Sequence, residues 1–119
     1  MQANNRDSAS LWDMMQAIRE IQEFTASLSY EDYLESRLVQ RGVERNFEIL
    51  GEAARRLSDD FRTTHSGIDW RRIIGLRNIL AHQYELIRQE ILWDIVTSLL
   101  PPLLNQIETL LPSITDEDN

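Results

Sequence analysis

Residues 77 to 85 read RNILAHQYE, and no other stretch of the chain concentrates so many reactive side chains. Arg77, Asn78, His82 and Tyr84 fall within eight positions, set among Ile79, Leu80 and Ala81. One of the chain's two histidines is here. On a straight helix Arg77 and His82, five residues apart, lie roughly 140° from each other. Asn78 and His82, four apart, share a face. Arginine is long enough to bend toward that face near a helix end, so Arg77, Asn78, His82 and Tyr84 can converge on one small volume.

Such a set suits phosphodiester chemistry. Histidine takes or gives a proton near pH 7, and arginine holds the non-bridging phosphate oxygens. RNA brings its own nucleophile, the 2′-hydroxyl. Metal-free cleavage then needs one base, one acid and a cationic clamp. One chain offers a single motif histidine, whereas a two-fold dimer supplies two histidines and two arginines. An enzyme built on this stretch therefore calls for a homodimer. A lone histidine beside an arginine makes a poor metal site. There is no HExxH, EF-hand loop or Gly-rich phosphate loop, and neither a metal nor another cofactor is expected. The same spacing also fits a capping histidine and a surface arginine.

Charge narrows where an anion could sit. The net charge is −8, which argues against a general nucleic-acid binder. Yet residues 37–77 carry nine Arg against six acids, while 1–36 and 78–119 each carry seven acids, against two Arg and one Arg. Every basic residue is arginine, the better side chain for gripping phosphate in a fixed geometry. Arg71 and Arg72, just before the motif, are candidates for RNA-backbone contact or for pairing with local acids. Arg45 and Glu52 are candidate members of a polar cluster beneath the cleft.

The elements that must position these residues are helical. Pro occurs only at 101, 102 and 112, and Gly only at 42, 51, 67 and 75. Leu11, Met14, Ile18 and Ile21 repeat at helical spacing, with Ser10 and Asp13 as a starting cap. Ser29 reads as a second cap. Val39, Val43, Phe47, Leu50, Ala54 and Leu57 keep one face of a long helix apolar, with Gly42 and Gly51 open to another backbone. SDDFRTTHSGIDW reads as a connector, with His65 a solvated loop residue and Asp69 the N-cap of WRRIIGLRNILAH. In the last helix, RQEILWDIVTSLLPPLLNQIETLL, Pro101 and Pro102 predict a kink or restart. Trp12, Trp70 and Trp93 read as core or interface anchors. DEDN reads as a frayed acidic tail. The expectation is one all-α domain over 1–119, with its core at about 8–111, folded as an up-and-down bundle of four to five helices that dimerises around the RxxxxHxY motif. With no apolar run of membrane length, no basic and apolar leader and no cysteine, the chain reads as a cytoplasmic protein that makes no membrane contact.

The sequence also resembles the HEPN superfamily, in its HepT-like toxin branch, whose members partner minimal nucleotidyltransferase antitoxins. RNILAHQY fits the Arg–x4–His–x–Tyr motif residue by residue. RNFEILGEAARRLS (45–58), IDWRRIIGLRNILAHQY (68–84) and ILWDIVTSLLPPL (91–103) resemble the family's central helix, motif segment and last helix, in the same order. The resemblance implies an all-α homodimer with a composite cleft, acting as a metal-independent endoribonuclease toxin. Arg77 and His82 map to the catalytic pair, with Asn78 supporting. It further implies silencing when the antitoxin transfers AMP from ATP to Tyr84, with ATP the partner's substrate rather than a cofactor of this chain. The RNA target, tRNA or mRNA, stays open. So do two other readings: a non-catalytic dimeric helical adaptor, and a nucleotide-binding partner of a nucleotidyltransferase.

Overall fold

The structure, a computed structural model, describes residues 5–82 and 89–111, with Asn78, Ile79, Ala81 and His82 described in their backbone alone. Tyr84 and the acidic tail DEDN lie outside the described residues. The elements are α1 (Asn5–Thr25), α2 (Tyr30–Glu35), α3 (Arg37–Arg56), α4 (Asp59–Thr64), α5 (Trp70–His82), α6 (Gln89–Asp94), a π-helical turn (Ile95–Leu99) and α7 (Leu100–Leu110). No strand occurs among the described residues. The protein is an all-α bundle: α1 packs along α3, α3 along α5, and α7 against α1.

The apolar stripes meet in one core. Leu11, Met14, Ile18 and Ile21 of α1, Val43, Phe47, Leu50 and Ala54 of α3, and Ile73, Leu76 and Leu80 of α5 are all buried. They join Leu100, Leu103 and Ile107 of α7. Burial of this kind, rather than helix propensity, gives a helix in a protein most of its stability.

Two local expectations need correction. First, α1 begins at Asn5, not at a Ser10–Asp13 cap. Ser10 is buried within the helix and Asp13 is exposed. The earlier start is held by Asp7, which is buried and accepts hydrogen bonds from Ser58 N (2.8 Å) and Ser58 Oγ (2.8 Å). A carboxylate in a first turn also suits the helix dipole.

Second, the connector contains a helix. Ser58 caps α4 by accepting from Phe61 N, and Phe61 is buried. His65 is half-buried rather than solvated: its ring packs at a tilt against Phe61 with centroids 4.4 Å apart, and its carbonyl accepts from Trp70 Nε1. Asp69 does cap α5, its Oδ1 accepting from Arg72 N at 3.2 Å.

The last helix restarts at the doubled proline, as expected. Pro101 and Pro102 stand at the start of α7, and the preceding turn widens to π geometry, with Leu100 N–H donating to Ile95 O. The i→i−4 bonds that two prolines cannot make fall on the carbonyls of Thr97 and Ser98. Both residues are exposed, so water can satisfy them.

Ser29 behaves as expected and forms a capping box with Asp32. The chain then breaks at Ser36, whose hydroxyl accepts from Val39 N and starts α3. Trp70 belongs to the core, and Trp93 packs against Tyr33 at 5.1 Å between centroids. Trp12 stands apart from the core, 52% exposed on α1.

Candidate active site

Arg77 is placed by a close approach of two helices. A Cβ built on Gly51 would lie 3.0 Å from Arg77 Cβ and 3.1 Å from Ile73 O. Only glycine lets α5 sit this near α3, so the expectation that Gly51 admits a backbone holds. Gly42 does something different: it admits the ring of Phe24, 2.9 Å from a built Cβ.

At the next residue of α3, Glu52 gathers arginines. Its carboxylate lies 2.9 Å from Arg77 Nε and 3.7 Å from Arg56 Nε. Arg55 donates to it twice, from Nε at 3.3 Å and from Nη2 at 2.8 Å. The hydrogen bond from Arg55, then the charges of Arg55, Arg77 and Arg56, hold the Glu52 carboxyl below its ordinary value against a smaller opposing effect of desolvation. Arg77 has no other partner among the described residues, and its side chain is 42% exposed. One edge of the guanidinium is therefore fixed while its terminal nitrogens remain available to an anion, the fork geometry that binds phosphate oxygens.

Arg77 and Glu52 open onto a groove of about 430 Å³ shared with Arg45, Arg56, Glu48 and Asp13. Arg45 thus joins the expected polar cluster, paired with Glu48 at 3.3 Å. The part played by Arg55 and Arg56 had no sequence signal of its own, because a last-turn RR pair reads as helix-end charge.

Helix α5 runs unbroken through His82. Asn78 and His82 therefore share one register, and Arg77 sits about 100° from Asn78. Within one chain Arg77 is turned toward α3; its convergence with Asn78, His82 and Tyr84 rests on side chains outside the described part of the structure. Arg71 and Arg72 part company. Arg71 lines a second groove, on the α4 side, whereas Arg72 is exposed outside it. Neither makes an ion pair among the described residues.

Just beyond the motif, Gln89 at the head of α6 is bound into a polar chain. It accepts from Tyr33 Oη at 2.5 Å and donates to Glu44 Oε2 at 2.7 Å, and Arg41 donates to Glu44 Oε1 at 2.7 Å. Burial, then the Glu44 charge, pushes the Tyr33 phenol well above its ordinary 10.0. This chain of contacts ties α2 and α3 to the residue that follows segment 83–88, and it had no signal in the sequence. No cluster of His, Cys, Asp or Glu able to hold a metal occurs among the described residues. No described helix is long and apolar enough to cross a membrane.

Comparison with known proteins gives the family. The family described as "Ribonuclease HepT-like" matches residues 14–110. The chain is 36% identical over 100 residues to a Thermococcus cleftensis protein named "Probable ribonuclease HepT", covering 84% of this chain and 91% of that one. Two proteins of Methanocaldococcus jannaschii, each named a "Putative RNase", are 34% and 33% identical over 100 and 110 residues. Those matches cover 84% and 92% of this chain, and 92% and 91% of the relatives. No solved structure matches the chain significantly. With its motif helix, its anchored arginine and these relatives, the chain belongs to the HepT-like ribonuclease family.

Proposed function

We propose that this protein is a metal-independent endoribonuclease, assembled as a homodimer whose two copies of residues 77–84 form one cleft. The observation that carries the reading is Arg77: anchored by Glu52 at 2.9 Å on one edge, it keeps its terminal nitrogens for phosphate, on the helix that also bears His82. In the reaction, one His82 takes the proton of the 2′-hydroxyl and the 2′-oxygen attacks the adjacent phosphorus. The 5′-oxygen leaves with a proton from the second His82, and the cut strand ends in a 2′,3′-cyclic phosphate. The two Arg77 side chains stabilise the charge that builds on the non-bridging oxygens. Asn78, in register with His82, supports the site.

The resemblance extends the proposal to biology. The protein acts in the cytoplasm as the toxin of a toxin–antitoxin pair, and a minimal nucleotidyltransferase silences it by transferring AMP to Tyr84. A nucleotide two residues from His82 adds bulk and negative charge where RNA phosphate must sit.

The test is incubation of the pure, unmodified protein with total RNA in excess EDTA. Cleavage is expected, with Arg77→Ala and His82→Ala each slowing it by about 10²-fold or more while helical circular dichroism is retained. Parental cleavage by either variant would remove that residue from the catalytic pair. Light scattering that shows a fully active monomer would end the composite-cleft reading.

A further inference from the structure

We propose that the groove between α4 and α5 is a binding track for the backbone of single-stranded RNA, leading to the cleavage site; this rests on the ribonuclease reading above. The groove encloses about 660 Å³ and is lined by Arg62, Thr63, Trp70, Arg71, Ile74 and Gly75, with Asp59 at its rim. It is separate from the groove that holds Arg77 and Glu52, since the two share no lining residue.

Three observations fit it to a phosphate backbone. Arg62 pairs with Asp59 at 2.6 Å, which accounts for the groove's one carboxylate. Arg71 is left exposed without an ion pair among the described residues, so the groove carries a net positive charge. Thr63 adds a hydroxyl, and the edge of Trp70 with Ile74 gives an apolar floor. Grooves that track single strands combine these same elements, cationic side chains along an apolar surface.

The direction of the track follows from the register of α5. Arg71, Gly75, Asn78 and His82 stand at i, i+4, i+7 and i+11, within about 60° of one another around the helix. They lie opposite the buried residues Ile73, Leu76 and Leu80. The line from Arg71 to His82 is about 16 Å along the axis, a few nucleotides of extended strand. Gly75 keeps that line open at its middle: a Cβ added there meets nothing within 4 Å. Arg71 thus holds a phosphate some way from the bond that is cut, and lengthens the stretch of RNA the enzyme reads. Arg72 takes no part in this groove.

The experiment separates this track from the catalytic reading by measuring binding and cleavage independently. Fluorescence anisotropy with an uncleavable 2′-O-methyl RNA of about twenty nucleotides reports binding alone. Arg71→Glu is expected to weaken it about tenfold, and Arg71→Ala to make the plot of log affinity against log salt shallower by about 0.7, the loss of one phosphate contact. Gly75→Glu, which places a carboxylate in open space without disturbing the core, should weaken binding similarly. Arg37→Glu, an equal charge change on an exposed residue outside the groove, should not. On cleavable RNA, Arg71→Ala should raise KM for the long substrate and leave kcat nearly unchanged, the opposite split from His82→Ala. Parental affinity in both Arg71→Glu and Gly75→Glu would overturn the track even if the protein cleaves RNA. Equal losses in Arg37→Glu would overturn it too, by showing that only net charge matters. A protein that binds RNA through this groove but never cleaves it would keep the track and sink the catalytic reading.

Discussion

Arg77 Nε lies 2.9 Å from Glu52 Oε2, an ion pair that joins the motif helix to the central helix of the bundle. On the proposed ribonuclease reading, Glu52 is a positioning residue whose carboxylate sets the edge that Arg77 presents. Surface-linked pairs of this kind contribute little to stability, about 1 kcal/mol or less, so the effect should be read in activity.

Glu52→Gln is expected to lower cleavage about tenfold, in kcat more than in KM, with a melting temperature within a few degrees of the parent's. The pH behaviour follows from the lowered Glu52 pKa. A carboxyl whose folded value is depressed contributes its stability in full above the ordinary value of 4.5 and loses it as pH falls through the folded value. The stability difference between parent and Glu52→Gln should therefore be constant at neutral pH and shrink in acid below 4.5. A difference that instead grows in acid would remove Glu52 from the role.

Gly51 permits the approach that the ion pair depends on. The atoms facing it are Arg77 Cβ and a backbone oxygen of Ile73, neither of which can swing aside. Gly51→Val should destabilise the protein by about 1–3 kcal/mol in urea unfolding, the range for overpacking. It should also depress cleavage further than its stability loss explains, because α5 is displaced as a unit. Parental stability would show that α5 can slide off α3 at no cost.

Tyr33 gives the molecule an alkaline limit. Its phenol is held neutral by burial and by the Glu44 charge, and its folded pKa lies above the ordinary 10.0. The stabilisation is complete below 10.0 and is lost as pH rises from there toward the folded value. Thermal melts should thus fall steeply above pH 10, and Tyr33→Phe should flatten that fall while costing about 1 kcal/mol at neutral pH from the broken bond to Gln89. An alkaline fall that is as steep in Tyr33→Phe would assign it to another group.

Tyr84 is expected to be the acceptor of AMP. Tyr84→Phe keeps the ring and removes the hydroxyl, so intact-mass measurement after incubation with the nucleotidyltransferase and ATP should show no adduct on it. An adduct on Tyr84→Phe as abundant as on the parent would place the modification elsewhere.

The sequence by itself determined the all-α class, the buried stripes of α1 and α3, the Ser29 and Asp69 caps, the motif helix and the family. Each is set within a few turns of chain: the 3.6-residue period fixes which side chains share a face, and a cap needs a partner only three residues on. Tertiary structure alone decided the rest. Periodicity could not say that Asp7 reaches Ser58, 51 positions away, and so starts α1 early. It could not say that Glu52 faces Arg77, or that Gln89 closes on Glu44. Nor could it separate Arg71 from its neighbour Arg72, since a groove beside one and not the other depends on where α4 packs. Polar side chains carry no period of their own; their partners are chosen by which helix the apolar stripes bring alongside.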